Sequence, residues 1–102
     1  MKIYLDDERE ASEGWLRVRW PDEAIELLKT GQVTDLSLDH DLGDDERGTG
    51  YDVVLWIEEA MATGPFMPPR IIVHSANPSA RAKMNAGLER IRRYVDLRRE
   101  IP

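Results

Sequence analysis

Apolar residues fall into two kinds of run along the chain, short β-branched stretches and longer stretches with helical spacing. The short runs cover residues 2–5, 15–20, 33–38 and 70–73. In residues 15–20 apolar side chains alternate with arginines, which is the pattern of a half-exposed strand and predicts a position at a sheet edge. Residues 70–73, RIIV, are the most β-branched and predict a central or fully covered strand.

Three segments have the spacing and end signals of helices. The first begins at Pro21, a residue favoured at the first helical position, and stops at Gly31. The second runs from Tyr51 to Gly64. Asn77 followed by Pro78 is typical of a cap and first turn, and apolar residues then repeat every three to four positions, which predicts a final helix.

The order of these elements is strand, strand, helix, strand, helix, strand, helix. It predicts an α/β fold with a mostly parallel sheet, formed by residues 1–102 as a single domain. The link between Asp7 and Trp15 is short for a parallel crossover. The direction of strand 15–20, parallel or antiparallel to the first strand, is therefore left open.

Composition and charge restrict the possible functions. The 102 residues include no cysteine, which excludes disulfides, thiolate zinc sites and a cysteine nucleophile. No apolar run approaches the roughly 20 residues of a membrane helix, and the N-terminus lacks a signal-peptide pattern, so we expect a cytoplasmic protein without membrane contact. Residues 79–102 hold seven Lys/Arg against three Asp/Glu, which we interpret as a solvated helix face.

Polar side chains follow three of the predicted strands. They are Asp6 and Asp7, then Asp39, His40 and Asp41, then His74 and Ser75. The carboxyl ends of parallel strands open into one crevice, where α/β proteins bind ligands. Carboxylates crowded there favour a divalent cation, and an oxygen-rich set without thiolates suits Mg²⁺ or Mn²⁺. We expect the metal ligands to be Asp6, Asp7, Asp39 and Asp41.

The segment RGTG, residues 47–50, lies just before a predicted helix. Its glycines and the helix N-terminus favour an anion, which predicts that Gly48, Thr49 and Gly50 cradle a phosphate. Ser75 and Asn77 are further candidates for contacts to phosphate oxygens. For Thr49 and Ser75, local turn hydrogen bonds are an equal alternative.

His40 and His74 are the only histidines, and both follow predicted strands. Because imidazole titrates near neutrality, the two residues are candidates for acid and base catalysis, with structural or merely exposed histidines as the alternative. The tryptophans at positions 15, 20 and 56 are interpreted as packing residues. A base-stacking platform needs a basic, aromatic sheet face, and the sequence indicates none.

Three long motifs resemble a family of small receiver-like domains named for cyclic-phosphate processing. The motifs are YLDDER, SLDHDLGDDERGTGYDV and IIVHSANPSARAKM. The resemblance implies a flavodoxin-like three-layer sandwich of about four mostly parallel strands, in the order 2-1-3-4, with three helices. More distantly the chain is similar to two-component receivers, whose acid pair, phospho-accepting Asp and Ser/Thr would correspond to Asp6-Asp7, Asp39 and Ser75.

Two departures from ordinary receivers bear on function. The sequence lacks a helix between its first two strands and lacks a fifth strand with its lysine, and His40 and His74 have no counterpart in signalling receivers. The resemblance therefore implies a metal-dependent phosphoesterase acting on cyclic phosphates, at RNA ends or in cyclic nucleotides, with Asp39, His40 and His74 as catalytic residues. The alternatives are a signalling domain with Asp39 as phospho-acceptor and a non-catalytic nucleotide- or RNA-binding module.

Overall fold

The computed structural model of the protein describes residues 1–100, with the side chains of residues 1–99. Seven elements follow one another along the chain: β1 (Lys2–Leu5), β2 (Trp15–Val18), α1 (Pro21–Leu28), β3 (Asp35–Leu38), α2 (Gly50–Thr63), β4 (Arg70–Val73) and α3 (Pro78–Glu100). Their order is the one that the sequence predicts. The strands at 15–20 and 33–38 are each two residues shorter than expected.

The four strands form one parallel sheet in the order β2-β1-β3-β4. This confirms the receiver-like α/β fold, the strand order and the three helices. It also settles the direction of β2, which pairs parallel to β1 with Lys2 opposite Trp15 and Leu5 opposite Val18. The link, residues 6–14, can extend to about 30 Å. It can therefore return along a four-residue strand, about 13 Å, without a crossover helix.

The strand order makes β2 and β4 the two edge strands of the sheet. The edge position predicted for residues 15–20 is confirmed, because β2 pairs only with β1. The central position predicted for residues 70–73 is wrong. β4 forms the other edge because the chain passes from β4 directly into α3 and no fifth strand follows among the described residues. Ile72 is 55% exposed because its side chain lies on the face of the sheet opposite the core.

The helices all lie on one face of the sheet. α1 and α2 connect strands that succeed one another in the same direction across the sheet, and right-handed crossovers place two such helices on the same side. α3 packs against α2 and joins the same core. The described residues thus form two layers where a three-layer sandwich was expected. The third layer is absent because the link between β1 and β2 contains no helix.

A single core fills the space between the sheet and the helices. Its buried members come from β1, α1, β3, α2, α3 and the loop after β3: Ile3, Leu5, Ala24, Leu28, Leu36, Leu38, Leu42, Val53, Val54, Ile57, Met61, Met84, Leu88 and Ile91. Gly87 lets α2 and α3 approach closely, since a Cβ there would lie 2.5 Å from Cγ1 of Val54. This packing fixes α3, whose N-terminus lies beside the carboxyl ends of the strands.

The helix starts agree with the predicted signals. Pro21 occupies the first position of α1, where Oε1 of Glu23 accepts a hydrogen bond from the amide of Trp20 at 3.0 Å. Asn77 caps α3, because its Oδ1 accepts from the amide of Ala80 at 3.1 Å. In the part of the chain that the structure describes, no helix combines the length and the apolar character needed to cross a membrane.

Candidate functional site

An open pocket of about 330 Å³ lies where β1, β3 and β4 end. We call it the acidic pocket. It is lined by Asp6, Asp7, Glu8, Arg9, Asp39, Asp41, Gly43, Ala76 and Asn77. The fold therefore brings together the four carboxylates that were expected to gather at the strand ends. The physical reason is that all four strands are parallel, so their carboxyl ends face the same edge of the sheet.

Asp6 is the most buried of these acids, with 1% of the residue exposed. Its Oδ1 accepts hydrogen bonds from the amides of Glu8 and Arg9, both at 2.8 Å, and its Oδ2 lies 2.9 Å from Nε2 of His74. Burial alone would raise the pKa of Asp6, but the two amides and His74 outweigh it, and the net pKa is lowered. Asp6 is a fixed negative charge at the base of the pocket.

The pKa of Asp39 is shifted in the opposite direction to that of Asp6, since it is raised. Burial raises its pKa, and the charges of Asp6 and Asp7 raise it further, while the amide of His40, which donates to Oδ1 at 2.8 Å, and His74 offset only part of this. The ionised form of Asp39 is thus disfavoured by its neighbours. A cation bound beside this carboxylate would lower that cost.

The ligand atoms that lie closest together belong to Asp6, Asp39 and His74, which can each offer one atom within 4.8 Å of the others. This set differs from the expected one of four aspartates. Asp7 and Asp41 line the pocket but lie outside the close group. Carboxylates suit Mg²⁺ or Mn²⁺, whereas imidazole is the more usual ligand of later transition metals.

His74 is held on three sides. Its Nε2 lies 2.9 Å from Oδ2 of Asp6, its Nδ1 lies 2.7 Å from Oγ of Ser37, and its ring stacks on Tyr4 with 4.3 Å between centroids. Because both ring nitrogens are engaged, His74 has no free nitrogen for the acid–base role expected of it. Because the ionised Asp6 carboxylate can only accept, Nε2 carries a proton in this structure, and the Ser37 hydroxyl donates to Nδ1 of the neutral ring. A cation bound to Nε2 would replace that proton, and Ser37 would then accept from Nδ1–H.

His40 is placed differently, and it does not itself line the acidic pocket, although its sequence neighbours Asp39 and Asp41 do. Its Nδ1 lies 2.9 Å from Oδ1 of Asp41, and its side chain is 19% exposed. A carboxylate accepts hydrogen bonds, so this contact puts the proton of neutral His40 on Nδ1 and leaves the Nε2 lone pair available as a base. Asp41 thereby acts as the residue that orients His40, a role that sequence reasoning missed because it assigned Asp41 to the metal.

The segment at residues 48–50 does not form the expected phosphate cradle. The amide of Gly48 donates to the carbonyl of Asp44, that of Thr49 to Oδ2 of Asp52, and that of Gly50 to the carbonyl of His40, at 2.8–3.2 Å. None of the three residues lines the acidic pocket. The glycines here permit a turn and a close approach of α2 to β3, and none of these three amides remains free for an anion.

Ser75 and Asn77, the other expected phosphate contacts, differ from each other. Ser75 is buried, and its Oγ accepts from the amide of Asn77 at 3.2 Å, so it forms a local turn and does not line the pocket. Asn77 does line the pocket. Its Oδ1 caps α3, which leaves the side-chain NH₂ group able to donate to a ligand.

Arg9 is a pocket residue that sequence reasoning did not find. It supplies the only cationic side chain that lines the acidic pocket, and among residues 1–99 its guanidinium makes no ion pair. The turn after β1 places it there, because Oδ1 of Asp6 accepts from the backbone amide of Arg9. The sequence signal is an Asp three residues before an Arg at a strand end, a spacing typical of an Asx turn.

Comparison with known proteins gave one family. The model described as the cyclic-phosphate processing receiver domain matches residues 1–90. No match was found among curated proteins or among solved structures. The matched range includes every residue that lines the acidic pocket and every strand of the sheet. The chain belongs to the cyclic-phosphate processing receiver domain family.

Proposed function

We propose that this protein is a divalent-cation-dependent phosphoesterase that opens cyclic phosphates, at RNA ends or in cyclic nucleotides. The observation that carries the proposal is the close group of Asp6, Asp39 and His74 with the His40–Asp41 pair adjoining it in sequence. The family of the chain points to the same substrate class. A signalling receiver needs no oriented base beside its acids, whereas a hydrolase does.

The carboxylates and the imidazole would hold the cation. When bound, a divalent cation neutralises part of the carboxylate charge and polarises a phosphoryl oxygen. Asp6 is suited to this role because its lowered pKa keeps it ionised. Ser37 supports His74 from behind by bonding Nδ1, the outer contact that metal-binding histidines commonly make.

His40 supplies the base in this proposal. Hydrolysis of a cyclic phosphate forms a P–O bond to water and breaks one P–O bond of the ring. Nε2 of His40 takes the proton from water and returns it to the ester oxygen that leaves, so the product is a phosphate monoester with a free hydroxyl. Asp41 fixes the tautomer and stabilises the imidazolium that forms between the two proton transfers.

A panel of cyclic mononucleotides and RNA ends assayed with Mg²⁺ and Mn²⁺ tests the proposal. His40→Ala is expected to lower kcat by about 100-fold to 10,000-fold, the usual contribution of a general base. Asp41→Asn should lower it less and should move the acid limb of the pH–kcat profile. Asp45→Asn, a change of the same charge in the exposed loop that follows, is the matched control and should leave kcat unchanged.

The variant His74→Ala distinguishes the proposed role of His74 from that of His40. Because His74 is bonded to Asp6 and Ser37, we expect its loss to weaken cation binding without changing the pH dependence of kcat at saturating Mn²⁺. Titration of Mn²⁺ by calorimetry measures the first effect. Full turnover by His40→Ala on every substrate that the wild type hydrolyses would refute the role given to His40.

A further prediction concerns Arg9. A cyclic phosphodiester is an anion, and the guanidinium is the one pocket cation that can donate two parallel hydrogen bonds to it. Arg9→Ala is expected to raise KM by about 10-fold to 100-fold, with a smaller change in kcat, and Arg9→Lys should recover part of the loss. Steady-state kinetics at saturating Mn²⁺ measures both, and an unchanged KM in Arg9→Ala contradicts the assignment.

Phospho-acceptor signalling is the second candidate, and one observation favours it. Asp39 lines the pocket together with the acid pair Asp6 and Asp7, as the accepting Asp of a receiver does. Incubation with a small phosphodonor and Mg²⁺, followed by intact-mass measurement, tests it. A mass gain of one phosphoryl group that is absent in Asp39→Asn would support signalling over hydrolysis.

A further inference from the structure

The face of the sheet opposite the helices carries its own set of side chains. Strand residues alternate between the two faces, and the register of the four strands aligns every second residue. The set that points away from the helices is Lys2, Tyr4, Trp15, Arg17, Asp35, Ser37, Arg70 and Ile72. We call this surface the open face, since no helix in residues 1–100 covers it.

Contacts between these side chains confirm that they share one face. The rings of Tyr4 and Trp15 lie 6.5 Å apart edge to face, and Nζ of Lys2 lies 5.6 Å from the Trp15 ring. Arg70 pairs with Asp35 at 3.6 Å. The two aromatic residues are half-buried, yet neither belongs to the hydrophobic core or packs against it. Trp15 thus lies outside the core, contrary to its interpretation as a packing residue, and its ring is available to a ligand from outside, whereas one face of the Tyr4 ring is covered by His74.

The charge of the open face is opposite to that of the chain. Lys2, Arg17 and Arg70 are all exposed and face a single acid, Asp35, whereas the whole protein carries a net charge of −6. The guanidinium of Arg70 is fixed only weakly by its partner, since the Arg70 side chain is 84% exposed. Exposed cations between aromatic rings on a sheet are the combination that single-stranded nucleic acids bind.

The open face runs into the acidic pocket by two routes. One is a row of rings, in which Trp15 contacts Tyr4 and Tyr4 stacks on His74, whose Nε2 is bonded to Asp6. The other is the contact between Nη1 of Arg17 and the carbonyl of Arg9 at 3.4 Å. A strand lying on the open face can thus place its end in the acidic pocket.

We propose that the open face binds single-stranded nucleic acid, with RNA carrying a terminal cyclic phosphate as the substrate, an assignment that rests on the proposed function of the pocket. The bases contact Trp15 and Ile72, and the backbone phosphates contact Lys2, Arg17 and Arg70. A second copy of the chain fits this surface less well. An isologous contact would set the same three cations against themselves.

Binding is measured first, without catalysis. Fluorescence anisotropy of a short labelled single-stranded RNA with a terminal cyclic phosphate, in a chelator, reports the affinity of the protein for RNA without cation-dependent turnover. We expect Arg17→Glu/Arg70→Glu to weaken binding at least about tenfold and to reduce its salt dependence. Trp15→Ala should also weaken binding about tenfold, the usual loss of one stacking contact. Arg92→Glu/Arg93→Glu, the same charge change on exposed residues of α3 in the helical layer, is the matched control and should bind as the wild type does.

Kinetics then separates this inference from the proposed function. The double variant Arg17→Glu/Arg70→Glu, which we call the open-face variant, should lose about tenfold in kcat/KM on the RNA. It should hydrolyse a cyclic mononucleotide at the wild-type rate. If no cyclic phosphate is hydrolysed but the variants weaken RNA binding as expected, the proposed function is wrong and the inference that the open face binds RNA is supported. Equal RNA affinity of the open-face variant and the control overturns the inference, as does a wild-type dimer that Arg17→Glu/Arg70→Glu dissociates.

Discussion

Asp39→Asn is expected to abolish cation-dependent hydrolysis and, in the same protein, to raise the melting temperature measured without cation. The two effects have one cause. Asp39 is held beside Asp6 and Asp7 in a partly buried site, which raises its pKa and makes its ionised form costly. The amide of Asn removes the charge, and its carbonyl can still accept the hydrogen bond that the His40 amide donates.

The gain in stability has a definite pH dependence. The pKa of Asp39 is higher in the folded protein than in the unfolded chain, so the folded state binds the proton more tightly. The repulsion is fully present above the folded pKa and disappears as the carboxyl is protonated at lower pH. Asp39→Asn should therefore be the more stable protein at neutral pH, by a few degrees in Tm, and should match the wild type in acid.

The loss of cation binding should be far larger. Removing an outer partner of a metal site costs about 10-fold to 100-fold in affinity, and Asp39 is a direct ligand in the proposed site, so more than about 100-fold is expected. Thermal unfolding with and without Mn²⁺ measures both effects, because a cation that binds only the folded state raises Tm. Asp45→Asn is again the control. A Tm shift by Mn²⁺ of equal size in Asp39→Asn and the wild type would rule out Asp39 as a ligand.

Much of the fold follows from the sequence because periodic apolar patterns and end signals act locally. Pro21, Gly64 and Asn77–Pro78 mark helix boundaries within one or two residues of those observed, apart from the earlier end of α1. The layering did not follow from the same patterns. RIIV is apolar enough to suit a covered strand, but β4 has a partner strand on one side only, and no helix among the described residues covers the face on which Ile72 lies.

The candidate site, like the fold, was predictable from the sequence only in part. The convergence of Asp6, Asp7, Asp39 and Asp41 is predictable because parallel strands end at one edge. The roles of the histidines depend on contacts between distant residues and are not predictable, since His74 meets Ser37 from 37 positions away and Asp6 from 68. The glycines of RGTG are typical of anion binding in sequence, but in the structure Gly50 allows α2 to pack closely against the end of β3.

Gly50→Ala is expected to prevent folding or to destabilise the protein by more than about 3 kcal/mol, beyond the usual cost of overpacking. A Cβ at position 50 would lie 1.8 Å from the backbone carbonyl oxygen of Asp39 and 2.9 Å from Cε of Met84. The methionine can move, but the carbonyl cannot move without shifting the end of β3. Since domains of this size are stable by only about 5–15 kcal/mol, such a shift consumes a large part of the total.

Gly64→Ala is the matched control for this prediction. Gly64 has an extended backbone with φ of −164°, and a Cβ there would have its nearest neighbour, the carbonyl oxygen of Ala60, at 3.7 Å. We expect its free energy of unfolding in urea to lie within about 0.5 kcal/mol of the wild type.

Cooperative unfolding of Gly50→Ala at wild-type stability would contradict the close approach of α2 to β3. Because the Gly50 amide donates to the carbonyl of His40, that approach also positions Asp39 and His40. Loss of hydrolysis in Gly50→Ala should therefore accompany loss of structure, which circular dichroism of the same sample measures, and should not be assigned to phosphate binding.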